Sequence, residues 1–201
     1  MYRPVRGGIA IENPRASVPG TLGLLGRDEE GKPWLVSCYH ILCRPNRADF
    51  DDQEPIHQPI DEGPETLIAH VYRDRADPDL DCAAAKLVDQ MGAMEEILGL
   101  GPVGTPTVPT VGLRVIKSGI ATGITEGVVK SVSDQRVTIA VTDGFPENYK
   151  LCKFGDSGAV WMTRDGVAPV ALHNGGNDTG QHYATAAPIL SVLESLRLRL
   201  P

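Results

Sequence analysis

Glycine and proline punctuate this chain so densely that long helices have little room to form. Twenty-two Gly and 16 Pro are spread over 201 residues. Each either frees the backbone for a turn or fixes φ and removes a donor. Between them lie short runs of strand length at 20–26, 34–37, 66–71, 82–88, 136–141, 159–162, 167–173 and 183–187. The runs 20–26 and 34–37 flank the polar turn 27–32 and read as a hairpin. Two stretches read as helical. One is 89–100, carrying Met91, Met94, Ile97 and Leu98. The other is 188–200, with Pro188 in its first turn and Ile189, Val192, Leu193 and Leu196 on one face. Residues 44–66 read as a long polar loop, with His57 and His70 at the surface, and the acids from Asp74 to Asp81 as a second loop. The clearest shift in composition is the Gly/Pro-rich segment around Pro102, Pro106 and Pro109. It divides the chain into 1–95, a linker at 96–110, and 111–201. The expected fold class is all-β with a C-terminal helix.

The net charge of −7 argues against nucleic acid or an anionic membrane as partner. No apolar run reaches spanning length, and the N-terminal residues lack an apolar signal core, so the expected location is cytoplasmic. Cys38, Cys43, Cys82 and Cys152 have no paired C-x-x-C spacing. They are expected to be buried free thiols, with no metal site and no cofactor.

Candidate chemistry centres on Phe154-Gly155-Asp156-Ser157-Gly158. A serine between two glycines suits a nucleophile on a tight turn. The N–H groups of Gly155 and Ser157 are then placed to form an oxyanion hole. The same string also suits a surface turn. A nucleophilic serine needs a base, and the base needs an orienting partner. His40 follows directly on the apolar run 34–37, where it is either a base reaching a cleft or a core histidine bonded to backbone. Asp81 enters the small-residue run 82–88, with Asp79 two residues earlier as the alternative acid.

His40, Asp81 and Ser157 stand in the order His, Asp, Ser, an order that differs among unrelated folds using the same three groups. Residues 35–40, 81–87 and 155–158 each resemble the matching segment of chymotrypsin-like serine proteases. Gly20-Thr21-Leu22-Gly23, the spacing of Ser37 to His40, and above all the block Gly112 to Gly127 are similar to landmarks of the bacterial and plant narrow-leaf-type trypsin-like peptidases. The chain departs from that pattern at Cys38-Tyr39 and at Ile120, where the family has arginine. The resemblance implies two packed six-stranded antiparallel β-barrels, the first giving His40 and Asp81 and the second Ser157. It also implies a serine endopeptidase acting on protein or peptide substrates. Alternatives are a silent peptide-binding module on the same fold and an esterase-type hydrolase.

The resemblance bears on specificity too. In relatives the acid beside the serine pairs with a freed N-terminal amine. Here Asp156 is expected to find its partner within the folded chain, since a buried unpaired carboxylate is costly. The residue six before the serine, at the pocket base in the family, is Leu151, followed by Cys152, so a Lys or Arg preference is not expected. His173-Asn174-Gly175-Gly176 resembles the pocket wall of glutamyl endopeptidases and 3C-type proteases, where the histidine binds Glu or Gln before the cut. The other reading of His173 is a strand-end residue bonded to backbone.

Overall fold

The structure is a computed structural model that describes residues 2–16, 18–43, 52–60, 62–142, 144–146, 148–176 and 183–200. The first half carries β1 (Val5–Gly7), β2 (Ala10–Ile11), β3 (Gly20–Thr21), β4 (Leu24–Arg27), β5 (Pro33–Ser37), α1 (Tyr39–Leu42), β6 (Glu54–His57), β7 (Leu67–Asp77), β8 (Cys82–Leu87), β9 (Ala93–Ile97) and β10 (Gly101–Pro102). Its main sheet runs in the order β4-β5-β8-β7-β6. The hairpin read from the sequence is present, with Leu24 opposite Val36 and Arg27 opposite Pro33. The small residues Ala83, Ala84 and Ala85 of β8 are fully buried between two neighbouring strands, where larger side chains would crowd the core.

The second half is a closed six-stranded barrel. Its strands are β11 (Arg114–Gly119), β12 (Gly123–Val132), β13 (Val137–Ala140), β14 (Val160–Thr163), β15 (Pro169–Gly176) and β16 (Tyr183–Pro188), followed by α2 (Ile189–Ser195). They pair in the order β11-β12-β13-β16-β15-β14 and return to β11. Val115, Val129, Val137, Ile139, Leu151, Trp161 and Ala184 fill the interior. Side chains alternate in and out of the barrel wall, and closure pairs each strand on both sides over at least part of its length.

A second closed barrel is not formed among the described residues. The reason lies at Leu22-Gly23, which separates β3 from β4. Gly23 N–H bonds Val36 O (2.9 Å), while Thr21 N–H reaches across to Ser157 O (2.8 Å). The chain leaves the first sheet here to support the second half. A Cβ on Gly23 would collide with the carbonyl of Gly158. β2 and β3 therefore pair as a separate ribbon, tied to β6 by a bridge between Glu12 and His57.

Several local expectations need correction. Residues 93–97 form a strand, not a helix: β9 pairs with β1 and β10, and Arg27 and Arg6 hold Glu95 and Glu96. β7 continues through Asp74 and Asp77, past a register shift between Val71 and Ala76, where a loop was expected. His57 is buried, its Nδ1 2.9 Å from Thr66 Oγ1, rather than at the surface. The loop expected at 44–66 contains β6, and residues 44–51 and 61 of it lie outside the described set.

α2 is shorter than 188–200. Arg197 takes a left-handed φ of 51°, and Arg199 then pairs with Arg27 of β4. Its apolar face, Ile189, Val192, Leu193 and Leu196, joins a core shared with first-half strands and with Val160, Met162 and Leu172 of the barrel. Each such side chain contributes roughly 1.5–3 kcal/mol by leaving water. Helix and barrel therefore clamp the first half, and the cleft opens along the seam.

Candidate active site

The turn before β14 presents Ser157 at this seam. Two glycines make it possible: Gly155 has φ 100° and Gly158 φ 93°, conformations that L-residues avoid. The carbonyls of the turn point into the protein. Thr21 Oγ1 donates to Gly155 O (2.8 Å). Ala159 N–H donates to Asp156 O (2.9 Å), and Thr21 N–H to Ser157 O (2.8 Å). Gly158 N–H is taken by His173 O (2.8 Å) and Asp156 N–H by Lys153 O (3.0 Å). With those groups engaged, the N–H groups of Gly155 and Ser157 donate to no protein acceptor among the described residues. Ser157 is half-buried and lines the cleft.

His40 sits on α1, immediately after β5. Asp81 lies one residue before β8, and its φ of 52° turns the carboxylate toward α1. Aspartate tolerates this conformation better than most residues. Asp81 Oδ2 is 2.7 Å from His40 Nδ1, and Asp81 Oδ1 accepts the His40 backbone N–H (3.0 Å). Tyr39 N–H donates to the Asp81 carbonyl (3.1 Å). One aspartate thus fixes both the ring and its backbone, leaving Nε2 as the ring nitrogen not turned to Asp81. The alternative acid, Asp79, is exposed, and its N–H bonds Asp77 Oδ1 (2.9 Å). His40 and Ser157 line the same cleft. Ser157 Oγ makes no hydrogen bond among the described residues, and such contacts commonly tighten only around a substrate.

Beneath the turn is a buried ion pair. Lys117 Nζ of β11 is 2.9 Å from Asp156 Oδ2, and both side chains are wholly inaccessible. Asp156 also accepts from Thr122 Oγ1 (2.6 Å) and from the N–H groups of Ala121, Thr122 and Lys153 at 3.0–3.1 Å. Burial pushes the Asp156 pKa up, but Lys117 and these donors outweigh it, and the net shift is downward. Gly119 completes the fit, because a Cβ there would collide with the Asp156 carboxylate. The expected internal partner for Asp156 is therefore present.

The cleft has a volume of about 340 Å³. His173, Asn174, Gly175, Gly176 and Cys152 form one wall, with Lys153 and Phe154 at the rim. Leu151, expected at the pocket base, instead packs inside the barrel, and Cys152 takes the cleft position. No acid lines the cleft among the described residues. His173 is 2% exposed, and its Nδ1 has no hydrogen-bond partner among them. Burial first, and the nearby Lys117 charge second, lower its pKa to about 3, so the ring is neutral at pH 7. Asn174, Gly175 and Gly176 continue β15. β14 pairs no further than Leu172, so beyond His173 this strand keeps β16 on one edge only. Asn177, which closes the resembling stretch, lies outside the described residues.

All four cysteines are buried free thiols. Cys38 Sγ, a His40 ring nitrogen and an Asp81 oxygen lie within 4.8 Å of one another, the one grouping of metal-type donors among the described residues. Burial, then Asp81, raises the Cys38 thiol pKa, so the group stays a thiol and donates to His173 O (3.1 Å).

Lys117, Thr122 and Thr21 carry structural roles at the site that the sequence reading did not assign. Their signal was the density of Gly, Thr and Lys between 112 and 127 and the Gly-Thr at 20–21.

Neither a protein-family model nor a curated protein matches the sequence. Solved structures do resemble the fold. A Nocardiopsis protease aligns with TM-score 0.69 and 17% identity, over 98% of each chain. A glutamic acid specific serine protease, described as using a histidine triad in substrate binding, aligns with TM-score 0.72 and 16% identity. That alignment covers 98% of this chain and 100% of the other. Thermobifida fusca protease A aligns with TM-score 0.69 and 15% identity over 98% and 97% of the two chains. The chain thus has the trypsin-like fold of these bacterial serine proteases.

Proposed function

We propose that the chain is a serine endopeptidase using His40, Asp81 and Ser157. The observation that carries this reading is the 2.7 Å His40–Asp81 contact facing the same cleft as Ser157. Ser157 Oγ attacks the peptide carbonyl while His40 Nε2 takes the hydroxyl proton. Asp81 holds the imidazole in the required tautomer and stabilises the imidazolium. The oxyanion of the tetrahedral intermediate accepts from the N–H groups of Gly155 and Ser157. His40 then gives its proton to the departing amine, the C–N bond breaks, and water resolves the acyl-enzyme by the same route.

The test is Ser157→Ala. Wild type should label with a fluorophosphonate and cut a peptide library, and the variant should do neither. Equal labelling of both proteins would refute the assignment. Asp81→Asn should lower kcat by roughly 10⁴-fold, and Asp79→Asn by little.

Substrate preference follows from the wall. The single edge of β15 offers backbone groups to an extended substrate strand. His173, a neutral ring lining this wall, supplies an N–H donor for the side-chain oxygen of Gln or Glu before the cut. The absence of a cleft acid among the described residues disfavours Lys and Arg. The aligned neighbour described as specific for glutamic acid points the same way. His173→Ala should lose this preference by roughly 1–3 kcal/mol in kcat/KM. A profile unchanged by that substitution would leave His173 as a structural residue. Four buried free thiols suit a reducing compartment, and we place the protein in the cytoplasm on that ground.

A further inference from the structure

Phe154 is 91% exposed, the most exposed of the large hydrophobic side chains among the described residues. It stands one residue before the Gly155 oxyanion donor, on the rim of the cleft. Val18 is 47% exposed and lines the same cleft, as does the buried Ile41. Two more apolar residues border this turn. A Cβ on Gly155 would come within 3.3–3.4 Å of Ile120 and Ala121. None of these side chains is needed for the triad chemistry or for the wall formed by His173 to Gly176.

Their position relative to the chemistry fixes which part of a substrate they meet. The strand edge at Asn174–Gly176 belongs to the barrel and takes the residues before the cut. The departing amine receives its proton from His40, so the residues after the cut must run out past His40. Ile41 follows His40 in α1, and Val18 precedes β3, whose Thr21 holds the Ser157 and Gly155 carbonyls. Ile41 also packs under this segment: a Cβ on Gly20 would meet it at 2.7 Å. Val18 and Ile41 therefore lie on the leaving side, and Phe154 lines the same cleft at its rim.

We propose that Val18, Ile41 and Phe154 form a leaving-side subsite that selects an apolar or aromatic residue immediately after the cut. This rests on the peptidase reading above and deepens it. An apolar side chain seated there buries Phe154 and Val18, which water otherwise covers, and this apolar burial is its driving force.

The experiment compares two substrates with the same residues before the cut. One continues with Gly after the cut and so offers no side chain there. The other continues with Leu or Phe after the cut. Phe154→Ala should lower kcat/KM about tenfold on the Leu or Phe peptide and less than about twofold on the Gly peptide. Val18→Ala, at an exposed position with no role in folding the turn, should act in the same sense. Acyl transfer gives an independent readout. During turnover of a coumarin amide with those same residues before the cut, added Leu-amide should intercept the wild-type acyl-enzyme better than Gly-amide, and Phe154→Ala should erase that difference. Equal losses on both substrates, or an unchanged preference after the cut in both variants, overturns the subsite while leaving the peptidase intact. Wild type that cuts neither substrate overturns the peptidase reading, and the subsite with it.

Discussion

At the scale of single residues, the arrangement under Ser157 turns on one charge pair. Asp156 accepts five hydrogen bonds, from the Lys117 ammonium, the Thr122 hydroxyl and three backbone N–H groups. A carboxylate in that position pulls the turn into shape, and the shape directs the Gly155 and Ser157 N–H groups outward. Lys117 costs desolvation, which lowers its pKa, and Asp156 offsets part of that cost. Removing one partner leaves the other charged and buried. Lys117→Met should therefore destabilise the fold by roughly 3–5 kcal/mol in urea unfolding, and Lys117→Met with Asp156→Asn should recover much of it. Neither variant should label with fluorophosphonate at the wild-type rate, because the turn has lost its anchor. Normal labelling of Lys117→Met would show that the turn holds its form without the pair. The sequence made the need for a partner to Asp156 legible, since a carboxylate beside the nucleophile has to be satisfied. It did not name Lys117, because the two lie 39 positions apart in the sequence and give no local signal of contact.

At the scale of elements, the strands flanking the candidate triad were legible for a simple reason. Apolar runs such as Val160-Trp161-Met162 and Cys82-Ala83-Ala84-Ala85 are bounded by turn residues and are buried on both sides. The apparent helix around Met91 to Leu98 misled because its spacing fits a helix, whereas its neighbours decide for a strand: β1 and β10 flank it on both sides. Met94 then lies exposed, and the two glutamates between it and Ile97 meet arginines. Likewise, 20–26 read as one strand but breaks at Leu22-Gly23, because Thr21 is committed to the nucleophile turn. That commitment gives Gly158 its importance. A Cβ at Gly158 would strike Thr21 O and Ser37 Oγ, and its φ is unfavourable for any L-residue. Gly158→Ala should cost at least about 2 kcal/mol and separate β3 from the turn. Hydrogen exchange should then show loss of protection at the Thr21 amide, which bonds Ser157 O in the parent. An undiminished Thr21 amide in a stable variant would refute this account of the seam.

For the whole molecule, the buried ionisable groups set how stability depends on pH. His173 lies at the junction of the two halves. It touches the Trp161 ring edge-on, its carbonyl accepts from Gly158 N–H and Cys38 Sγ, and Lys117, Asp156 and His40 are the charged or titratable groups around it. Its pKa is about 3 when folded against 6.5 for an unperturbed histidine. Between those values the unfolded chain binds the proton and the folded chain refuses it. Stability must then fall as pH drops from about 6.5, by on the order of 2 kcal/mol at pH 5. Asp156 works in the same direction at lower pH. Its folded pKa is depressed, so its contribution is present above the unfolded carboxylate value and is lost as pH falls through the folded one. The expected curve has two acid steps, the first near the histidine range and the second in the carboxylate range. His173→Leu should flatten the first step and leave the second, whatever role His173 has toward substrate. Urea midpoints at intervals from pH 8 to pH 4 measure this directly. A wild-type midpoint that stays constant from pH 7 to pH 5, or a decline that persists unchanged in His173→Leu, would mean that the ring is not held neutral at the seam.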